Sequence, residues 1–299
     1  MIRSARAGTD RAISTVVDVS LCLLLVSAAI GTLVLPQAVP GTPHDGPDPS
    51  ATVEALATGT VSVAYELETG HLEAPVDHAS GAGEAERVAH GSYAELLAEA
   101  AVENATLHGR ALSGASDGFE RRVATAIRNA TRATGGRTRV TATWAPYPGA
   151  PTRGVASAGP RPPPEASVAA ATLTVPSRFR ATRERARRLA RRDGYPGVAR
   201  ALARATIAGW FPPQDARLAL RGDHPVDALL TRRYRRTATG LGTSVADPVR
   251  AVEPRRANAR LTTALARRYE TDLRKRFDSP AAAARAVRIG EVRVVVATW

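Results

Sequence analysis

The residues of this chain that could do chemistry are few and scattered, and their spacing limits what that chemistry is. His44, His71, His78, His90, His108 and His224 stand far apart; His71 and His78, flanking Asp77, come nearest to a cluster. A zinc-type site needs three or four ligands at close, fixed spacing, so no metal site is expected. Cys22 is the one cysteine, which excludes an intrachain disulfide. No serine nucleophile and no phosphate-cradling glycine loop is read from the chain, so neither enzymatic activity nor a cofactor is expected.

Three other groups carry chemical meaning. Asp18 is the single charge within the apolar run Ile13 to Leu35. Asn104-Ala-Thr106 and Asn129-Ala-Thr131 are N-glycosylation sequons, which makes Asn104 and Asn129 candidate modification sites on a chain that faces outward. The string SRFRATRERARRLARR places Arg183, Arg187 and Arg191 at i, i+4 and i+8, one face of a helix. Such a face attracts phosphate and other polyanions. Aromatic residues for base stacking make up only 4% of the chain, so specific nucleic-acid recognition is not expected.

The arginines belong to a wider asymmetry. Residues 37–120 hold 14 acidic and 2 basic side chains, net −12, whereas residues 121–299 hold 36 basic and 12 acidic, net +24. Two segments of opposite sign in one chain are expected to attract each other, within a subunit or between subunits.

The element that must position everything else is the apolar run itself. Its 23 residues would make a helix roughly 34 Å long, enough to cross a hydrocarbon core of about 30 Å. Arg3, Arg6 and Arg11 precede it, and no Lys or Arg occurs in the PQAVPGTPHDGPDPS that follows. The positive-inside rule then places the N-terminus in the cytoplasm and residues 36 to 299 outside the cell membrane, as a single-pass protein.

The junction Asp10-Arg11-Ala12-Ile13-Ser14, followed by the apolar run, resembles the leader junction of haloarchaeal type IV pilins and pilin-like proteins. The resemblance implies a cut after Arg11 and Ala12 that leaves Ile13 as the new N-terminus, with the apolar helix retained. It further implies that Asp18 could pair with the free amine of Ile13 on a neighbouring subunit; the other reading places Asp18 at the membrane interface. Thr15 stands where many such pilins have proline, and Val17 occupies the fifth mature position, where bacterial pilins carry an acidic residue. These departures fit a minor component better than a major pilin. Strings such as TWAPYPGAP and GWFPP also look similar to uncharacterised haloarchaeal proteins that have one span and a long outer domain. The implied partners are the membrane and other pilin-like or secretion-system subunits. The alternative function is a stand-alone surface-anchored binding protein for polyanions.

Residues 1–12 therefore read as a basic leader, 13–35 as a transmembrane helix and 36–50 as a Pro/Gly-rich stalk. Residues 51–299 read as one extracellular α+β domain, with a Pro-rich loop at 146–164. Helical periodicity is expected from Tyr93 to about Leu107, from Asp117 to the glycines at 135–136, and over Ser177 to Arg192, Val198 to Trp210, Val226 to Thr237 and Asn258 to Phe277. A short helix follows Ser279. Strands are expected at Thr60 to Leu67, Arg139 to Trp144, Ala171 to Val175 and Val292 to Thr298, which suits a small antiparallel sheet among several helices.

Overall fold

A computed structural model describes residues 46–66, 86–107, 109–112, 117–132, 137–179 and 182–299. The leader, the apolar run with Cys22 and Asp18, and most of the stalk lie outside the described residues. Residues 44–299 cluster as a compact unit separate from what precedes them. Among the described residues no helix is long and apolar enough to cross a membrane.

The unit is α+β. Helix α1 (Pro49–Thr58) leads into strand β1 (Thr60–Glu66), which pairs antiparallel with β2 (Glu86–Ser92) along its whole length. Helix α2 (Tyr93–Glu103) follows at once, because Ser92 stops the strand and caps the helix. The Ser92 hydroxyl accepts from the Glu95 N–H at 3.2 Å, and the Glu95 carboxylate accepts from the Ser92 N–H at 2.9 Å. These bonds hold the Glu95 carboxyl below its usual range and satisfy two donors that the helix start leaves open.

Next come the two-residue strands β3 (Thr106–Leu107) and β4 (Arg110–Ala111), then α3 (Asp117–Ala130), β5 (Thr138–Trp144), β6 (Thr152–Ala158) and β7 (Ala169–Pro176). The chain then leaves the sheet for a run of helices: α4 (Arg183–Trp210), α5 (Pro213–Arg221), α6 (Val226–Leu241), α7 (Ala246–Arg250), α8 (Pro254–Arg276) and α9 (Pro280–Arg285). It returns as β8 (Glu291–Thr298), which slots between β5 and β7. The order β4-β3-β6-β5-β8-β7 is antiparallel at every pairing. The helical layer is thus an insertion between two adjacent strands.

Period-two patterning buries one face of this sheet. Val140, Ala142 and Trp144 of β5 sit opposite Ala158, Ala156 and Gly154 of β6 and opposite Val296, Val294 and Val292 of β8. Helix α2 covers that face with Leu97, Ala98, Ala101 and Val102. The approach is close: a Cβ on Gly154 would lie 1.8 Å from the Ala101 carbonyl oxygen. The reverse face, with Thr143 and Arg293, is open to solvent.

Trp144 and Tyr147 join the sheet to the helical layer. The buried Trp144 ring stacks on Phe179 at 4.7 Å and meets Trp210 at 6.1 Å, and its Nε1–H donates to the Ile289 carbonyl at 2.9 Å. Tyr147 packs edge-on to Tyr269 and Phe277 and donates to Asp272 Oδ2 at 3.0 Å. Each aromatic pair adds about 0.5–1.5 kcal/mol beyond the area it buries.

The structure revises several expectations. The Pro-rich stretch 146–164 is not a loop throughout, since Thr152–Ala158 is a strand inside the sheet. Helix α1 begins within the expected stalk; Pro49 takes the first turn, and Asp48 Oδ1 accepts from the Ser50 N–H at 2.8 Å. The sheet is larger than four strands. The two helices expected across 177–210 are found as expected, as the two halves of α4 on either side of a kink at Gly194 (φ +65°), just before Pro196. The first turn of α4 starts at Arg183, six residues later than expected; the Ser177 hydroxyl donates to the Ile289 carbonyl at 2.8 Å and accepts from the Phe179 N–H at 3.2 Å.

Candidate functional site

The expected arginine stripe on α4 is only partly free. Arg183 is half-buried, its Nε donates to the Val287 carbonyl at 3.0 Å, and its guanidinium lies 3.5 Å from Glu291. Arg187 pairs with Glu184 at 2.6 Å, and Arg191 is exposed. The three share a helix but do not make an unpaired cationic face.

Of the sequons, Asn104 caps the end of α2, where its amide nitrogen donates to the Glu120 carboxylate and, at 3.4 Å, to the Val155 carbonyl. A glycan on that nitrogen would displace those bonds. Asn129 is exposed on α3, with Oδ1 accepting from Arg132 at 3.1 Å, so it is the more accessible of the two.

Arg11, Ala12, Ile13 and Asp18 lie outside the described residues, as do His44, His71, His78 and His108. His90 faces the Ser62 hydroxyl at 3.0 Å across the β1–β2 pair. Among the described residues no group of three or more His, Cys, Asp or Glu side chains could hold a metal. A Gly-x-Ser-x-Gly string does occur from Gly114 to Gly118, and sequence reading missed it. A nucleophile elbow needs a sheet strand that turns sharply into a helix. Here the preceding strand is the two-residue, antiparallel edge strand β4, and Ser116 lies outside the described residues, so the string carries no assignment.

The opposite charges do meet within the chain. Glu103, at the end of α2, lies 2.5 Å from Arg178 and 2.8 Å from Arg233 of α6, and Arg178 also reaches Glu99 at 2.9 Å. Burial alone would raise the Glu103 pKa, but Arg233 and Arg178 outweigh it and hold the carboxyl below its usual range. Arg233 further lies 5.5 Å from the centre of the Phe211 ring, which stacks on Tyr234 at 4.1 Å. Tyr234 in turn donates to Asn258 Oδ1 at 2.9 Å. The inward side of α6 is therefore fully occupied.

Its outward side is not. Arg232, Arg235, Arg236, Thr239 and Gly240 of α6, with Arg110 and Ala111 of β4, line a depression of about 400 Å³. No carboxylate lines it, and among the described residues none of its four arginines forms an ion pair. Arg235 and Thr239 also border a second cavity, of about 610 Å³, between α5, α6 and α7. That cavity has an apolar floor including Leu220, Ala238 and Val249, hydroxyls including Ser244, and the charged groups Asp227 and Arg250. A third basic depression, of about 480 Å³, holds Arg267, Arg268 and Lys275 but includes Asp272, which is already bound to Arg276 and Tyr147.

Sequence reading passed over the α6 arginines, although the string TRRYRR at 231–236 carried the signal. Helical spacing divides it: Arg233, Tyr234 and Thr237 turn inward, and Arg232, Arg235 and Arg236 line the depression. The partner from β4 could not be read, because a two-residue strand has no periodicity.

Fold and site together define an α+β domain with an antiparallel sheet, a helical insertion between two paired strands, and an arginine-lined surface. The chain belongs to a family of unknown function (DUF7284), which it matches over residues 17–299. No curated protein matches the chain. No solved structure matches it either.

Proposed function

We propose that this chain is a pilin-like, membrane-anchored extracellular protein, a minor component of a type IV pilus or a secretion-type surface assembly. The observation that carries the reading is Arg11-Ala12-Ile13 directly ahead of an apolar run unbroken but for Asp18. In this reading the run anchors the protein, N-terminus inward. A carboxylate at bilayer depth costs on the order of 3 kcal/mol, which gives Asp18 reason to pair with the Ile13 amine of a neighbour. Residues 44–299, a compact unit with its own core, then serve as the outer domain and act by contact rather than by catalysis. Mass spectrometry of the mature protein is the test. Ile13 as the N-terminus is the expected result. A mature N-terminus beyond Leu35 would overturn the reading and leave a secreted protein, and an intact Met1 would leave a plain signal anchor.

A second reading, a surface-anchored binder of polyanions, is favoured by the four arginines around one depression, none of which forms an ion pair among the described residues. It is compatible with an anchor and does not depend on a filament.

A further inference from the structure

We infer that the depression between α6 and β4 is a binding site for a multivalent phosphate-type anion, held by Arg110, Arg232, Arg235 and Arg236. The inference rests on the polyanion reading and moves it from the α4 stripe to a defined site.

Four facts converge. Four guanidinium groups surround the hollow, each a planar fork of donors that matches phosphate oxygens. The carboxylate beneath α6, Glu103, is committed to Arg178 and Arg233, and Asp227, on α6 itself, borders the neighbouring cavity and not this depression. The depression is concave and about 400 Å³ in volume, room for a few phosphate groups but not for a folded partner. Its remaining lining is small, Ala111, Thr239 and Gly240, so the Thr239 hydroxyl is the one uncharged side-chain donor. Like charges gathered round one hollow repel each other, and an anion placed among them removes that repulsion while gaining charge-assisted, forked hydrogen bonds. The α4 stripe lacks these features, because Arg183 and Arg187 already have partners.

The site asks for several negative oxygens in a compact ligand, as a short phosphate chain or a phosphorylated headgroup supplies. It offers no aromatic ring for a base and no carboxylate to reject the anion. The neighbouring cavity shares Arg235 and Thr239 with it, so a ligand with an apolar part could extend across α6.

Titration calorimetry on the full-length protein in uncharged detergent, with tripolyphosphate as the probe, tests the inference. The expected result is one site per chain, weakened at least about tenfold in R235A/R236A and within about twofold of wild type in R187A/R191A. R235K/R236K should fall between, because lysine keeps the charge and loses the fork. Arg235 and Arg236 are exposed, and an unchanged urea midpoint in each variant confirms that the fold is kept. Glycerol 3-phosphate that competes with tripolyphosphate would identify the source as a lipid headgroup; failure to compete would identify a free phosphate chain. Equal weakening by R187A/R191A would overturn the site and leave only diffuse attraction. No binding by the wild type would overturn both the site and the polyanion reading, and neither result bears on Ile13.

Discussion

Glu103 shows at the residue scale how this fold handles its charge. Its side chain is 13% exposed and lies between two arginines, themselves 33% and 20% exposed. Breaking a buried pair by removing one partner costs about 3–5 kcal/mol, and the partial exposure of Arg178 argues for the lower end. Glu103→Gln should therefore lose about 3 kcal/mol at pH 7, measured by urea denaturation. The folded carboxyl is held below its unfolded value, so the stabilisation is fully present above about pH 4.5 and is lost as pH falls through the lower folded value. The gap between wild type and variant should close as the pH drops below about 4. A gap that stays constant to pH 3 would mean that shape, not charge, is what the glutamate contributes. Tyr269 is a useful contrast: its hydroxyl is buried beside the Thr152 and Thr206 hydroxyls, which favour its ionised form, and burial still pushes its pKa up to about 12.

At the scale of elements, the fit of α2 onto β6 decides the sheet. A methyl group at position 154 would collide with the Ala101 carbonyl oxygen at 1.8 Å, and backbone cannot step aside as a flexible side chain can. Gly154→Ala should cost about 3 kcal/mol or more, seen as a lower urea midpoint with an unchanged slope. A loss under about 1 kcal/mol would mean that α2 slides freely over β6. The same contact explains why β6 was illegible in the sequence. TRGVASA has small residues because a helix must come close, and small residues between prolines read as a loop. β2 was hidden for the opposite reason: its strand ERVAHGS is mostly solvated, with Val88 66% exposed, and shows no apolar alternation. Strands that pack large apolar side chains, β5 and β8, were readable to within one residue. Of the site, the arginines could be read and the hollow could not. Concavity depends on β4 meeting α6, a contact between residues more than a hundred positions apart.

Across the whole molecule, the acidic and basic segments carry net charges of −12 and +24. The bridge from Glu99 and Glu103 to Arg178 and Arg233 joins them inside the chain, yet it engages only two carboxylates. Most other ion pairs of the basic segment are local to one helix: Arg256 with Glu253, Arg274 with Glu270, Arg276 with Asp272. A large excess of arginine therefore faces outward, while α1 and the β1–β2 pair present Glu54, Glu66 and Glu86. Exposed pairs contribute only about 0–1 kcal/mol each, so this asymmetry bears on association more than on folding. Residues 37–299, freed of the apolar run, should self-associate at low salt through contacts between unlike surfaces, the kind of heterologous contact that can extend without closing. Screening shortens the reach of charge from about 10 Å at 0.1 M salt to about 3 Å at 1 M. Sedimentation analysis from about 0.1 M to about 2 M salt should show association weakening steeply if exposed charges alone hold the contact. Association that persists or strengthens over that range would point to a packed apolar interface, because burial of apolar surface is not screened. A domain that stays monomeric at every salt concentration would confine the attraction to the Glu103 bridge and leave the outward arginines to a ligand.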